Sequence, residues 1–220
     1  MGRSGPLAMF PLGTVLFPGA QLPLHVFEPR YRRLTDDCLA GDGTFGVVLI
    51  ARGSEVGGGD ERFGVATVAR IVRASCLDDG RWFLLVEGSH RVAVTRWLDD
   101  DPYPRAVVDD VADVPGSVDE DSFARATAAV RTARALLSEL GSQAPVVADL
   151  GAGVVTGTDS ETATRLWRLC ALAPVTVLDS QRLLETTDPA TRVTLVAELC
   201  EALAGDLVRL LGGGPGAPAS

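Results

Sequence analysis

Near residue 114 the apolar pattern of this 220-residue chain changes period, and that change constrains the fold more than any other feature. Before it, short apolar runs are cut by Gly, Pro and Asp turns, which is the pattern of strands. After it, apolar residues recur three and four apart, the pattern of helices burying one face. Segments 22–26, 44–51, 63–75, 81–87, 91–98 and 105–111 read as strands, with AspAspGly at 78–80 as a hairpin turn and one helix over 29–40, ended by Gly41. Six short strands and one helix predict a small, closed antiparallel barrel. In the second half, Ser117ValAspGlu120 reads as a capping box opening a helix with Phe123, Ala126, Val130, Ala133, Leu137 and Leu140 on one stripe. Thr158AspSerGlu161 reads as a second box, and Asp188 with Pro189 opens a last helix carrying Val193, Val196, Cys200, Leu203, Leu207 and Leu210. A second apolar row at Leu195, Leu199 and Leu211 makes that helix too wide for a narrow seam, so it packs in a bundle or in part against a partner chain, an oligomer contact. The expectation is an α+β chain with a β-barrel over 7–113, a helical bundle over 117–211, a mobile linker over 142–157 and a disordered tail over 212–220.

Charge and residue usage exclude several function classes. Residues 1–113 carry 12 Arg against 16 Asp and Glu, net −4, and residues 114–220 carry 8 against 13, net −5. Neither half offers the basic surface that supplies most nucleic-acid affinity. All 20 basic residues are Arg, and the chain has no Lys. A phosphate-binding loop needs its Lys, and a Ser–Lys dyad needs Lys as base; a guanidinium does not lose its proton near neutral pH and replaces neither. Cys38, Cys76, Cys170 and Cys200 are isolated from one another and from His, which predicts four buried free thiols and no metal. GlyAspGlyThrPheGly at 41–46 fits the dinucleotide fingerprint letter for letter, but a helix precedes it and a strand follows, the reverse of what that fingerprint requires. GlyAlaGlyValValThrGly at 151–157 has no following ribose-binding acid, so no cofactor is expected. His25 and Glu28, and Ser89 and His90, are expected to diverge on extended backbone and to form no site. No apolar run is long enough to cross a bilayer and the first residues lack a signal-peptide core, so the expected location is the cytoplasm.

The densest run of unusual residues is ValLeuPheProGlyAlaGlnLeuProLeuHisValPheGluProArgTyr at 15–31. Pro18 and Gly19 favour a tight reversal. Pro23 cannot donate to a ladder, which places 22–26 on a sheet edge or in a broken strand rather than at a sheet centre. Pro29 suits the first position of a helix, and Glu28 before it suits the positive end of the helix dipole. Arg30, Arg32 and Arg33 form the one compact basic cluster, but Asp36 and Asp37 follow within a turn and predict a salt-bridged, solvated face.

This run resembles the start of the Lon protease substrate-binding domain. Further similar landmarks follow in order: Phe45GlyValVal, the 64–71 segment, Leu85ValGluGlySerHisArg and Pro102Tyr103, then 173–185 and 188–193 in the helical half. The resemblance implies a PUA-like pseudo-barrel for the first unit and a stand-alone, non-catalytic recognition module, with neither the ATPase nor the protease part of a Lon machine. Its implied partners are unfolded or apolar polypeptide segments and a separate Lon protease that receives them. Residues Phe17, Leu22, Val26, Phe27 and Tyr31 are the expected peptide contacts, against the plainer expectation that aromatics on short strands are buried. The alternative is an RNA-binding module, since PUA-like barrels often bind RNA; the acidic charge opposes it.

Overall fold

The computed structural model describes residues 6–52, 61–141 and 159–212. The chain divides into two compact units, Met1–Asp113 and Val114–Ser220. The expected linker at 142–157, the Thr158 cap and the tail beyond Gly212 lie outside the described residues.

In the first unit six strands form one sheet: β1 (Leu7–Leu12), β2 (Gln21–Val26), β3 (Thr44–Arg52), β4 (Glu61–Cys76), β5 (Trp82–Trp97) and β6 (Arg105–Val111), with helix α1 (Pro29–Ala40) between β2 and β3. The strand order is β2-β5-β4-β3-β1-β6, and an added β5–β6 pairing closes five strands into a ring. Opposite its edge with β4, β5 serves two further partners because it is 16 residues long: residues 82–87 pair with β2 and residues 91–97 with β6. β2 is therefore an edge strand, as Pro23 allowed.

Two features depart from the expected barrel. β1 pairs parallel to β3, so the barrel is not wholly antiparallel; the chain between them holds β2 and α1, a connection long enough to cross over. Segments 81–87 and 91–98 are one strand, because GlySer at 88–89 bends β5 without stopping it. The register moves from Val68↔His90 to Ala69↔Gly88 and leaves Ser89 as an extra residue, a β-bulge. Glycine is required at 88, since a Cβ there would stand 2.3 Å from the Phe17 carbonyl oxygen. That contact belongs to the reversal at 17–20, where the Ala20 amide donates to the Phe17 carbonyl at 3.0 Å and Gly19 has φ +75°, the geometry that Pro–Gly favours.

The sheet encloses two apolar clusters. One contains Leu7, Met9, Val48, Ala66, Val68, Val92, Ala106 and Val108. The other contains Phe10, Leu12, Leu24, Val26, Tyr31, Leu34, Phe45, Leu84 and Val86 among its members. β1 feeds both, because alternate residues of a strand face opposite sides.

The second unit holds α2 (Glu120–Glu139), α3 (Asp159–Leu172), α4 (Val177–Glu185) and α5 (Pro189–Gly212). α2 buries Phe123, Ala126, Ala129, Val130 and Ala133, while Leu137 is half-buried and Leu140 exposed. Its cap is Asp119, whose carboxylate accepts from the Ser122 amide at 2.8 Å, and not Ser117, which lies exposed two residues before it. That hydrogen bond holds the Asp119 carboxyl below its usual pKa, and a charged cap suits the helix N-terminus better than a hydroxyl. Asp188 does cap α5, accepting from the Ala190 and Thr191 amides at 3.3 and 3.0 Å. α5 buries Val193, Val196, Ala197, Cys200 and Leu207; Leu195, Leu199 and Leu203 are half-buried and Leu210 and Leu211 exposed. Arg192 is fully buried, its guanidinium 3.8 Å from the Trp167 ring and donating to the Thr186 carbonyl. Three of the four cysteines are buried, but Cys76, the last residue of β4, is exposed.

Candidate polypeptide-binding cleft

β2 explains why a cleft exists where it does. Among the described residues it pairs with β5 alone, so its far edge has no neighbour to fill the space beside it. The Gly88 amide donates to the Ala20 carbonyl at 2.9 Å. By alternation, Leu22, Leu24 and Val26 turn their backbone groups towards β5, and Gln21, Pro23 and His25 turn theirs to the open edge. A cleft of about 270 Å³ runs here, lined by Phe10, Leu12 and Thr14 on one side, by Tyr31 of α1, and by every residue from Leu22 to Glu28. A lining of seven consecutive residues includes both faces of the strand, so the cleft follows its edge. Its floor is the second apolar cluster, to which Phe10, Leu24, Val26 and Tyr31 belong.

The five expected contact residues separate in this setting. Leu22, Val26, Phe27 and Tyr31 line the cleft, and Phe17 does not. Phe17 is 5% exposed, and Val26 and Tyr31 are core residues at 1% and 2%. Tyr31 stacks on Phe10 with ring centres 4.1 Å apart. Leu22 is half-buried and Phe27 is 50% exposed. The accessible apolar surface thus sits at Phe27 and Leu22, with two residues the sequence argument did not select. His25 stacks on Phe83 of β5 at 4.6 Å and 13° and lies 5.8 Å from Phe27; Phe83 is 49% exposed. Strand alternation over 82–87 was the available signal, since inward Trp82, Leu84 and Val86 leave Phe83 outward.

Charge at the cleft is balanced. Glu28 is the one carboxylate lining it and pairs with Arg30 at 3.1 Å; its side chain makes no cap hydrogen bond to α1. Arg33 pairs with Asp37 at 3.0 Å, as expected from the spacing. The Arg32 guanidinium lies against the 78–80 turn, where a Cβ on Gly80 would meet it at 2.0 Å. Arg30 and Arg33 are thus each paired with a carboxylate close by in sequence. On the same helix Asp37 accepts from the Tyr103 hydroxyl at 2.9 Å. Burial, with that carboxylate, pushes the Tyr103 hydroxyl up to about 12.

Ser89 and His90 do not diverge as expected. The bulge at Ser89 turns both side chains to one face, with Ser89 Oγ 3.1 Å from His90 Nδ1 and His90 Nε2 3.3 Å from Asp110 Oδ1. All three are exposed, and none lines the cleft; a nucleophile there has water as its surroundings. Among the described residues no group of His, Cys, Asp and Glu could hold a metal, and no helix is long and apolar enough to cross a membrane.

Comparison with known proteins places this geometry. The family described as the ATP-dependent protease La (LON) substrate-binding domain matches residues 6–202. The chain belongs to that family. Lon protease 2 of Myxococcus xanthus is 30% identical over 195 residues, which is 88% of this chain and 23% of that protein. Lon protease of Cytophaga hutchinsonii is 27% identical over 188 residues, 85% of this chain and 23% of that protein. This Lon-type chain therefore spans under a quarter of the length of the curated relatives it matches. A Lon N-terminal domain protein from Xanthomonas campestris superposes with a TM-score of 0.62 at 28% identity, over 86% of this chain and 95% of that one. The N-terminal domain of Mycobacterium avium complex Lon protease, at 14% identity and a TM-score of 0.58, shares the fold. The α+β architecture of this Lon substrate-binding domain is thus that of solved Lon N-terminal domains, and the matched region corresponds to a recognition module and not to a protease or ATPase part.

Proposed function

We propose that this chain captures polypeptide segments carrying large apolar side chains, along the open edge of β2, without chemical change to them. The observation that carries the reading is a cleft floored by core residues and lined by five consecutive residues of β2 and the two that follow it, with half-exposed Phe27 at its mouth. Apolar ligand groups gain by leaving water, and the paired Glu28 and Arg30 spare the ligand an unbalanced charge. Membership in a family named for substrate binding supports the same conclusion. Delivery of the captured segment to a Lon protease extends the proposal, in line with the relatives that carry this domain.

Titration with a fluorescent, permanently unfolded polypeptide, beside a labelled structured RNA, tests it. The expected result is saturable polypeptide binding that persists at raised salt and weakens when Phe27 is replaced by Ala. Binding of RNA alone, lost steeply with salt, would overturn the reading.

A further inference from the structure

Resting on the polypeptide-binding reading, we propose that the cleft reads ligand side chains only, and that Pro23 keeps the ligand backbone from joining the sheet as an added strand. An open strand edge beside a cleft ordinarily invites β-strand addition, in which main-chain hydrogen bonds supply the affinity. Here the backbone groups presented to the open edge are those of Gln21, Pro23 and His25. The middle one has no amide hydrogen. An incoming strand meets a donor at 21, none at 23 and a donor at 25, so its ladder breaks at the centre of the six-residue strand. Pro23 does not weaken β2 itself, because its amide position faces away from β5 and the Leu22↔Val86 and Leu24↔Leu84 pairs on either side are intact. Proline at this register is a device that blunts an exposed edge against other chains.

What remains for recognition is the side-chain space. A cavity of roughly 150 Å³ lined by Leu, Ile and Phe accommodates benzene, so about 270 Å³ admits one aromatic or one to two aliphatic side chains. It does not admit a whole strand. The lining is mostly apolar; its polar side chains are Thr14, His25, Glu28 and Tyr31, and Glu28 is neutralised by Arg30. The occupant that fits is therefore an uncharged segment of an unfolded polypeptide that inserts a large apolar side chain while its backbone stays in solvent. The stacked His25 and Phe83 pair and Phe27 form the rim over which the neighbouring ligand residues lie.

The test uses a fluorescent ten-residue peptide with Phe and Leu at alternate positions among Ser and Gly, and its analogue in which alternate backbone amides are esters. On the unaltered protein the two should bind within about twofold of each other. A loss of tenfold or more in the ester analogue would overturn the proposal, because only ladder hydrogen bonds distinguish the pair. Pro23→Thr and Pro23→Ala restore the missing donor. Both, checked for an unchanged circular dichroism spectrum, should make binding ester-sensitive or raise self-association in sedimentation over the unaltered protein at equal concentration. Two folded variants that do neither would overturn it as well. If the parent peptide does not bind at all, the polypeptide-binding reading fails, and the sedimentation of the Pro23 variants still decides whether proline blunts the edge.

Discussion

The two apolar clusters of the first unit are built on opposite faces of β1 and have different fates. The cluster around Met9, Val48, Val68, Val92 and Val108 lies where β5, β4, β3, β1 and β6 close on one another, and it is almost wholly aliphatic. The cluster around Phe10, Tyr31, Phe45 and Leu84 lies where β2 has an open edge, and it is rich in aromatic rings. Closed pairing on every side leaves no accessible floor. A missing neighbour beside β2 leaves the aromatic cluster reachable from outside. Recognition surface here is thus core that the unpaired edge of β2 exposes, while β1 supplies Leu7 and Met9 to the sealed cluster and Phe10 and Leu12 to the cleft wall.

The largest effect that can sharpen this comparison is at the sealed cluster. Met9→Ala should cost about 2–5 kcal/mol of stability, since Met9 is fully buried and the closed ring cannot collapse into the void. Denaturant unfolding measures it, and polypeptide affinity per folded molecule should not change. Equal losses of stability and affinity would break the division of labour. Next in size is Phe27→Ala, at the open cluster's mouth: affinity should fall about tenfold, or about 1.4 kcal/mol, with stability altered by less than about 0.5 kcal/mol. A stability loss matching that of Met9→Ala would show Phe27 to be core.

The smallest expected effect concerns the Tyr103 hydroxyl, which ties β6's approach to α1 through Asp37. Its folded pKa is raised to about 12 against about 10 when unfolded, so folding favours the protonated form. That contribution is full below pH 10 and is lost as pH rises towards 12. Tyr103→Phe should cost on the order of 1 kcal/mol at pH 8, and its difference from the unaltered protein should shrink between pH 10 and 12. A difference independent of pH over that range would assign the loss to packing.

Much of this was legible in local chemistry. Pro18–Gly19 predicted a reversal that is present with a positive φ at Gly19, and Pro23 kept 22–26 from a sheet centre. The helix at 29–40 and the Asp188 cap were legible because caps and breakers act over three or four residues. Long-range pairing was not. GlySer at 88–89 reads locally as a strand end, yet β4 and the Phe17 carbonyl accept the glycine and carry β5 through it. The Ser117 cap failed because α2 starts later than the box predicts, with Asp119 accepting from the Ser122 amide. Ser89 and His90 were placed apart by strand alternation, and the bulge that brings them together is a property of the pairing with β4.

By itself the sequence determined the change from strands to helices near residue 114 and a first motif rich enough to mark the family. Each of these depends on identity or on spacing within a few residues, where backbone sterics and hydrogen-bonding capacity act directly. Only the tertiary structure decided that Phe17, Val26 and Tyr31 are buried while Phe27 and Phe83 are accessible. It also decided that β1 runs parallel to β3 and that the far edge of β2 is open. The physical reason is that exposure belongs to the neighbours a side chain acquires, and those neighbours lie tens of residues away along the chain.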